Sequence, residues 1–314
     1  MQFDRELGYL VGGVLVVLVL ATAGGQLLGR RVRSDAGRAT VANLNARIAG
    51  WWVMCAVFGL ALLTAGVGSV VLFGLISFLA LREFVTVTFT KRSDHQALFW
   101  TFFVITPLQY WLVADEWYGL FSIFIPVYAF LFLPITNALT GDMDQFLERT
   151  AKIQWGLMIC VYLVSHAPAI LLMLDIPGYE DQNGKLLLYF VLVAQASDVL
   201  QYIWGKLLGR RPIAPNISPN KTWEGFVGGV GSAVALGTLL WWATPFNPWQ
   251  SALMLLAITL MGFFGGLTMS AIKRDRGVKD YGTLIPGHGG MLDRIDSLCF
   301  AAPVFFHLTR YYFG

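Results

Sequence analysis

Residues 118–137 read YGLFSIFIPVYAFLFLPITN, twenty consecutive positions without a charged side chain. Wound as a helix, a stretch of that length covers the roughly 30 Å hydrocarbon core of a bilayer. A helix is also the form in which such a stretch satisfies its own backbone hydrogen bonds away from water. Working outward in both directions, comparable apolar runs occupy 8–28, 51–66, 68–87, 96–114, 153–175, 186–208, 225–244, 250–272 and 297–313. The runs at 51–66 and 68–87 are separated by the Gly-rich AGVGS and read either as two spans or as one re-entrant pair. The predicted fold is therefore all-α, a polytopic integral membrane protein with nine or ten transmembrane helices.

Composition points the same way. Of 314 residues, 56% are hydrophobic and 13% charged, and the mean hydropathy is +0.63. A soluble domain carries about 25% charged residues. The three cysteines, Cys55, Cys160 and Cys299, lie far apart inside apolar runs. That placement fits small buried apolar residues better than a disulfide framework or a metal site. The N-terminal MQFDRE has two acids against one arginine, and GRRVR follows the first apolar run, so a retained helix is expected rather than a cleaved signal.

With ten spans, segments 29–50, 88–95, 138–152, 209–224 and 273–296 share one side. All of the 22 lysines and arginines lie nearest that side except Arg5, Lys185 and Arg310. The opposite loops, ADEWYG, IPGYEDQNGK and TPFNPWQ, are acidic or neutral. By the positive-inside rule the basic side faces the cytosol. A multi-pass protein of the cell (inner) membrane is expected, its two polar loops on the cytosolic face where nucleotides are. The chain divides into N-terminal transmembrane helices, 1–150, and a C-terminal transmembrane domain, 151–314, carrying cytosolic loops 209–224 and 273–296, where any active site is expected. No internal repeat or low-complexity segment stands out.

Three polar constellations interrupt the apolar pattern. In AQASDVLQYIWGKLLGRR, Ser197, Asp198 and Gln201 fall on one helical face. An ionisable group at membrane depth is costly unless it has a partner or a cavity. Asp198 thus reads as a helix–helix hydrogen bond or as an intramembrane metal or proton site. In GRRPIAPNISPNKTWEGF, three prolines forbid a regular helix. Thr222 is placed to N-cap the next span beside Lys221, an arrangement suited to phosphate as well as to basic anchoring at the membrane surface.

The third constellation is SAIKRDRGVKDYGTLIPGHGGMLDRID, Ser270 to Asp296, with four aspartates and five basic residues. Asp293 and Asp296 are three apart, so on a helix their carboxylates face the same way. Mg²⁺ prefers one or two carboxylates together with substrate phosphates. The Pro286–Gly290 turn is a candidate anion nest of backbone N–H groups, and Lys273, Arg274, Arg276 and Lys279 bring positive charge. His288 reads as a hydrogen-bond donor to phosphate, since phosphoryl chemistry needs positioning more than deprotonation. A cation, an anion nest and basic residues together point to phosphoryl or nucleotidyl transfer. A structural or transport loop is the competing reading.

This loop resembles the C-terminal motif of the phosphatidate cytidylyltransferase (CDP-diglyceride synthase) family. That pattern is S-x-x-K-R, then K-D, then P-G-H-G-G-x-x-D-R-x-D. It is met at Ser270, Lys273, Arg274, Lys279, Asp280, Pro286, Gly287, His288, Gly289, Gly290, Asp293, Arg294 and Asp296. The family's S-P-K-K-T-W-E-G is resembled by Ser218, Pro219, Lys221, Thr222, Trp223, Glu224 and Gly225, with Asn220 in place of a lysine. Asp198, Tyr202 and Gly205 resemble its D-x-x-x-Y-x-x-G. Many bacterial members have G-D-L-x-E-S before the Lys-Arg pair, whereas this chain has Gly265-Gly266-Leu267-Thr268-Met269-Ser270, a Gly-Gly variant without that carboxylate. The strong resemblance covers roughly 195–300.

The resemblance implies CTP and phosphatidate, or a related lipid phosphate, as substrates, with CDP-diacylglycerol and pyrophosphate as products of phospholipid biosynthesis. Catalytic residues would be Lys273, Arg274, Lys279, Asp280, His288, Asp293 and Asp296. Substrate would be bound by Ser218, Lys221, Thr222, Ser270, Gly289, Gly290 and Arg294. Mg²⁺, with a second cation also in view, would sit on Asp293, Asp296 and Asp198. Membrane lipids are implied partners, a homodimer is the family tendency, and nucleic acid is not a partner. Alternatives are a CTP-dependent lipid or polyprenol kinase, a transporter, or a non-catalytic scaffold. A CDP-alcohol phosphotransferase would need the D-G-x-x-A-R pattern, which is missing.

Overall fold

The computed structural model describes residues 5–314 except 33, 89 and 286–288. Ten helical rods follow one another in the chain: α1 Arg5–Arg31, α2 Asp35–Leu63, α3 Ala65–Val87, α4 Arg92–Ala114, α5 Tyr118–Ala138, α6 Phe146–Leu172, α7 Asn183–Leu208, α8 Trp223–Leu239, α9 Pro248–Asp275 and α10 Leu292–Phe313. Between α7 and α8 lies an antiparallel hairpin, β1 Pro212–Ala214 and β2 Ser218–Thr222. The expected all-α membrane architecture holds. All but α8 and α10 are long and apolar enough to cross a bilayer. α8 has 17 residues, and α10 carries Asp293, Arg294 and Asp296 within its first five.

Segment 29–50, expected as a loop, is mostly helix. Ser34 caps α2, its hydroxyl accepting the Gly37 N–H at 3.3 Å, and the rod then runs unbroken to Leu63. A hydropathy window sees the apolar part of a helix and not its polar extension. α2 and α3 are each long and apolar enough to cross, and the AGVGS stretch forms the first turns of α3.

α4, α5 and α6 each contain one wide π-type turn, at Thr101–Ile105, Phe124–Ala129 and Met158–Leu163. Each encloses or shortly precedes a proline: Pro107, Pro126 and Pro168. Proline removes a backbone donor and crowds the preceding turn, and a widened turn accommodates both effects without breaking the rod.

α10 lies at the centre, packed on α3, α6, α7 and α9. Its Cys299, Phe305 and Phe306 are fully buried, and the Phe305 ring stacks on Phe190 of α7 at 5.1 Å. α7 and α8 touch through glycines. A Cβ at Gly225 would stand 2.9 Å from the Gln201 carbonyl oxygen, and one at Gly229 would overlap Gln201 itself. Such close approach through small residues is how membrane helices gain packing without a hydrophobic driving force.

Candidate active site

The site lies at the end of the bundle where the β-hairpin and the segment between α9 and α10 meet. The prolines in 209–224 do exclude a helix, but the result is a paired hairpin and not an open loop. Pro212 stands opposite Thr222, and Ala214 opposite Ser218. The Trp223 N–H closes it onto the Arg211 carbonyl at 3.0 Å. Glu224 accepts the Arg210 and Arg211 N–H groups at 3.0 and 3.2 Å. Thr222 caps α8 as expected, its hydroxyl accepting the Gly225 N–H at 3.1 Å.

This framing aims Lys221 into the bundle. Its ammonium lies 3.5 Å from the Phe263 carbonyl oxygen and 4.8 Å over the Phe263 ring. It occupies the notch left by Gly266, where a Cβ would stand 2.9 Å from Nζ and 3.9 Å from Asp296 Oδ2. Asp198 of α7 and Asp296 of α10 both lie within electrostatic reach of the same ammonium, and Arg294 lies within electrostatic reach of both carboxylates. Burial holds the Lys221 ammonium below the ordinary lysine range, with Asp296 and Asp198 pulling upward and Lys273 pushing down. Two carboxylates from different helices thus lie within electrostatic reach of Lys221 and Arg294.

Asp293 is engaged differently. Its Oδ1 accepts from the Lys273 ammonium at 2.8 Å. Its Oδ2 accepts the Tyr281 N–H at 2.8 Å and the Gly290 N–H at 3.0 Å. It therefore joins the two ends of the segment 281–290 and anchors them to α9. The three-residue spacing predicts carboxylates pointing one way. The structure brings both to the same end of α10 but gives them different partners, because Asp293 is drawn to the loop's backbone donors.

The remaining predicted residues sort by what they touch. Arg274 donates to the Ile217 carbonyl at 3.2 Å and to the Val278 carbonyl at 3.2 Å, docking the hairpin turn on the end of α9. Ser270 donates to the Gly266 carbonyl at 2.7 Å. Gly289 has φ +84°, pairs with Ile285, and would set a Cβ 3.0 Å from Asp293 Oδ2, so glycine suits both its conformation and its space. Lys279 and Asp280 are exposed, and Ser218 is half-buried on β2. Arg294 has a buried Nε without a hydrogen-bond partner among the described residues. His288, with Pro286 and Gly287, lies outside the described residues.

Two participants escaped the sequence reading. Tyr281 is buried, donates its hydroxyl to the Met269 carbonyl at 3.0 Å and lies under the Lys273 ammonium, 5.4 Å from ring centroid to nitrogen. Glu83 of α3 accepts the Met291 and Leu292 N–H groups at 2.9 and 2.8 Å. The one available signal for Glu83 was an acid near the end of an apolar span.

Among the described residues, no three His, Cys, Asp or Glu side chains converge to form a metal site of their own. Asp198 and Asp296 lie within electrostatic reach of each other, and two carboxylates are the protein share that Mg²⁺ takes when substrate phosphates complete its shell.

Residues 45–312 match the model of the cytidylyltransferase family, reaching far beyond the motif-bearing region into the N-terminal helices. The chain is 42% identical over 305 residues to an uncharacterized protein, YnbB, of Escherichia coli (strain K12), covering 95% of this chain and 96% of that one. It is 47% identical over 116 residues to the phosphatidate cytidylyltransferase of Synechocystis sp. (strain ATCC 27184 / PCC 6803 / Kazusa), covering 36% of this chain and 39% of the relative. With the phosphatidate cytidylyltransferase of Mycobacterium leprae (strain TN) it shares 41% identity over 129 residues, 40% of each chain. The matches to these two enzymes thus span about two fifths of their length. A family match over most of the length, on a helical membrane scaffold with paired acids and bases at one end, places the chain in the cytidylyltransferase family of nucleotidyltransferases.

Proposed function

We propose that the protein is a phosphatidate cytidylyltransferase, transferring the cytidylyl group of CTP to phosphatidate to give CDP-diacylglycerol and pyrophosphate. The observation that carries this reading is the placement of the Lys221 ammonium and the Asp296 carboxylate against Gly266, with Asp198, Arg294 and Lys273 within electrostatic reach. A phosphate oxygen of the lipid attacks the α-phosphorus of CTP, and the bond from that phosphorus to the α,β-bridging oxygen breaks. The nucleophile is already anionic, so no strong general base is needed. Lys221, Lys273 and Arg294 offset the negative charge that accumulates on the departing pyrophosphate. Asp198 and Asp296 would hold Mg²⁺, which screens the triphosphate when bound.

Asp293 and Arg274 act on this chemistry by holding Lys273 and the hairpin where the phosphates arrive. The helical scaffold supports lateral entry of a lipid with its headgroup at the hairpin end. The asymmetry of basic residues supports placing that end at the cytosolic face of the cell membrane. The test is purified protein with phosphatidate, Mg²⁺ and each of the four nucleoside triphosphates, following pyrophosphate. Pyrophosphate release that requires both CTP and phosphatidate is the expected result. Release of CDP would instead make the protein a CTP-dependent lipid kinase, and intact CTP would remove the enzyme reading.

A further inference from the structure

α10 begins without a cap of its own. Its N-cap residue is Met291, whose side chain offers the helix no hydrogen-bond acceptor. The first N–H groups of a helix need partners from outside it, and each buried one left unpaired is costly. Here the partners come from 208 residues earlier in the chain. Glu83 Oε1 accepts the Met291 N–H at 2.9 Å, and Oε2 accepts the Leu292 N–H at 2.8 Å. A carboxylate there is also favoured by the partial positive charge of the helix N-terminus.

The loop is shaped around this carboxylate. A Cβ at Gly282 would stand 2.7 Å from Glu83 Oε1 and 2.9 Å from its Cδ, and a Cβ at Gly290 would overlap the same group. Both positions lack a side chain where Glu83 fits between the two limbs of the segment. The adjacent donors, Gly290 N–H and Tyr281 N–H, go to Asp293. Glu83 and Asp293 thus divide the backbone donors at this corner, one from α3 and one from α10 itself.

We propose that Glu83 is a positioning residue for the reaction: it fixes where α10 starts, and so the height at which Asp296 meets Asp198 and Lys221. The proposal rests on the functional reading above and adds a contribution from the N-terminal helices. It explains why a site whose acids and bases lie in 198–296 needs α3. Glu83 touches no reacting atom, and its effect passes through the helix start.

The test compares Glu83→Ala, Glu83→Gln and Gly282→Ala in the full-length protein. Glu83→Ala removes both acceptors, Glu83→Gln keeps one, and Gly282→Ala pushes the carboxylate off its seat. Expected are faster hydrogen exchange at the Met291 and Leu292 amides, a fall in kcat of about 100-fold for Glu83→Ala, and a smaller fall for Glu83→Gln. The Mg²⁺ concentration for half-maximal activity should rise about tenfold, which a mere loss of folded protein would not cause. Glu83→Ala/Gly282→Ala should be no worse than Glu83→Ala, since both changes break the same clamp. Wild-type exchange rates at those two amides in Glu83→Ala, or kcat and Mg²⁺ half-saturation within twofold of wild type, would overturn the proposal while leaving the functional reading standing. A wild-type protein that turns over no CTP would overturn the functional reading, and the exchange result would still decide the clamp.

Discussion

Asp293 and Asp296 stand three residues apart on α10, and their surroundings differ. Asp293 is 6% exposed and receives three donors, one from Lys273 and two from the backbone. Asp296 takes the N–H of Ser297 at 2.9 Å, the single hydrogen bond found for it among the described residues, and otherwise lies beside Gly266 and Lys221, within electrostatic reach of Lys273, Arg294 and Asp198. A carboxylate saturated with fixed donors stabilises the charged form and rigidifies what it touches. One with a single backbone donor keeps lone pairs open to a cation or to phosphate-bound groups. Under the proposed function, one motif divides its acids between architecture and chemistry.

The largest expected effect breaks the chemical side. Asp296→Asn and Asp198→Asn should each lower CTP turnover by at least about 100-fold while the purified protein keeps its melting temperature in detergent. Wild-type-like turnover in either variant would remove the cation assignment. Asp293→Ala tests the architectural side. It strands Lys273, whose side chain is 12% exposed, and should destabilise the fold by about 3–5 kcal/mol, seen as a lowered melting temperature together with lost activity. If Asp293→Ala left stability unchanged, the contrast between the two acids would fail.

Gly266→Ala sharpens the comparison at intermediate size. The added Cβ would meet the Lys221 ammonium at 2.9 Å and displace it. A fall in kcat of about tenfold with an unchanged melting temperature is expected. The smallest effect belongs to Thr222→Ala, which removes the cap of α8. A loss of about 1 kcal/mol in stability is expected, with a smaller fall in CTP turnover than in Gly266→Ala.

Much of what the structure gathers at the candidate site was legible before any fold. Asp198 was marked by its position in an apolar run, Thr222 by cap chemistry, and Lys221, Lys273 and Arg294 by the spacing of their motifs. The hairpin was not, because prolines announce the absence of a helix without saying which pairing replaces it. The different roles of Asp293 and Asp296 were not, because helical periodicity aims side chains but does not reveal which backbone donors lie opposite. Glu83 showed only as an acid near the end of an apolar span, because its partners lie 208 and 209 residues away.

What the amino-acid order determined by itself is the membrane architecture, since twenty-residue apolar runs are bound by backbone hydrogen bonding to become helices in lipid. It also determined which residue types crowd the hairpin end of the bundle. Only the tertiary structure decided the rest: that α10 lies at the centre, that Lys221 occupies the Gly266 notch, and that α3 supplies the cap α10 lacks. Those outcomes depend on which surfaces meet when the rods pack, and packing joins residues that local sequence keeps apart.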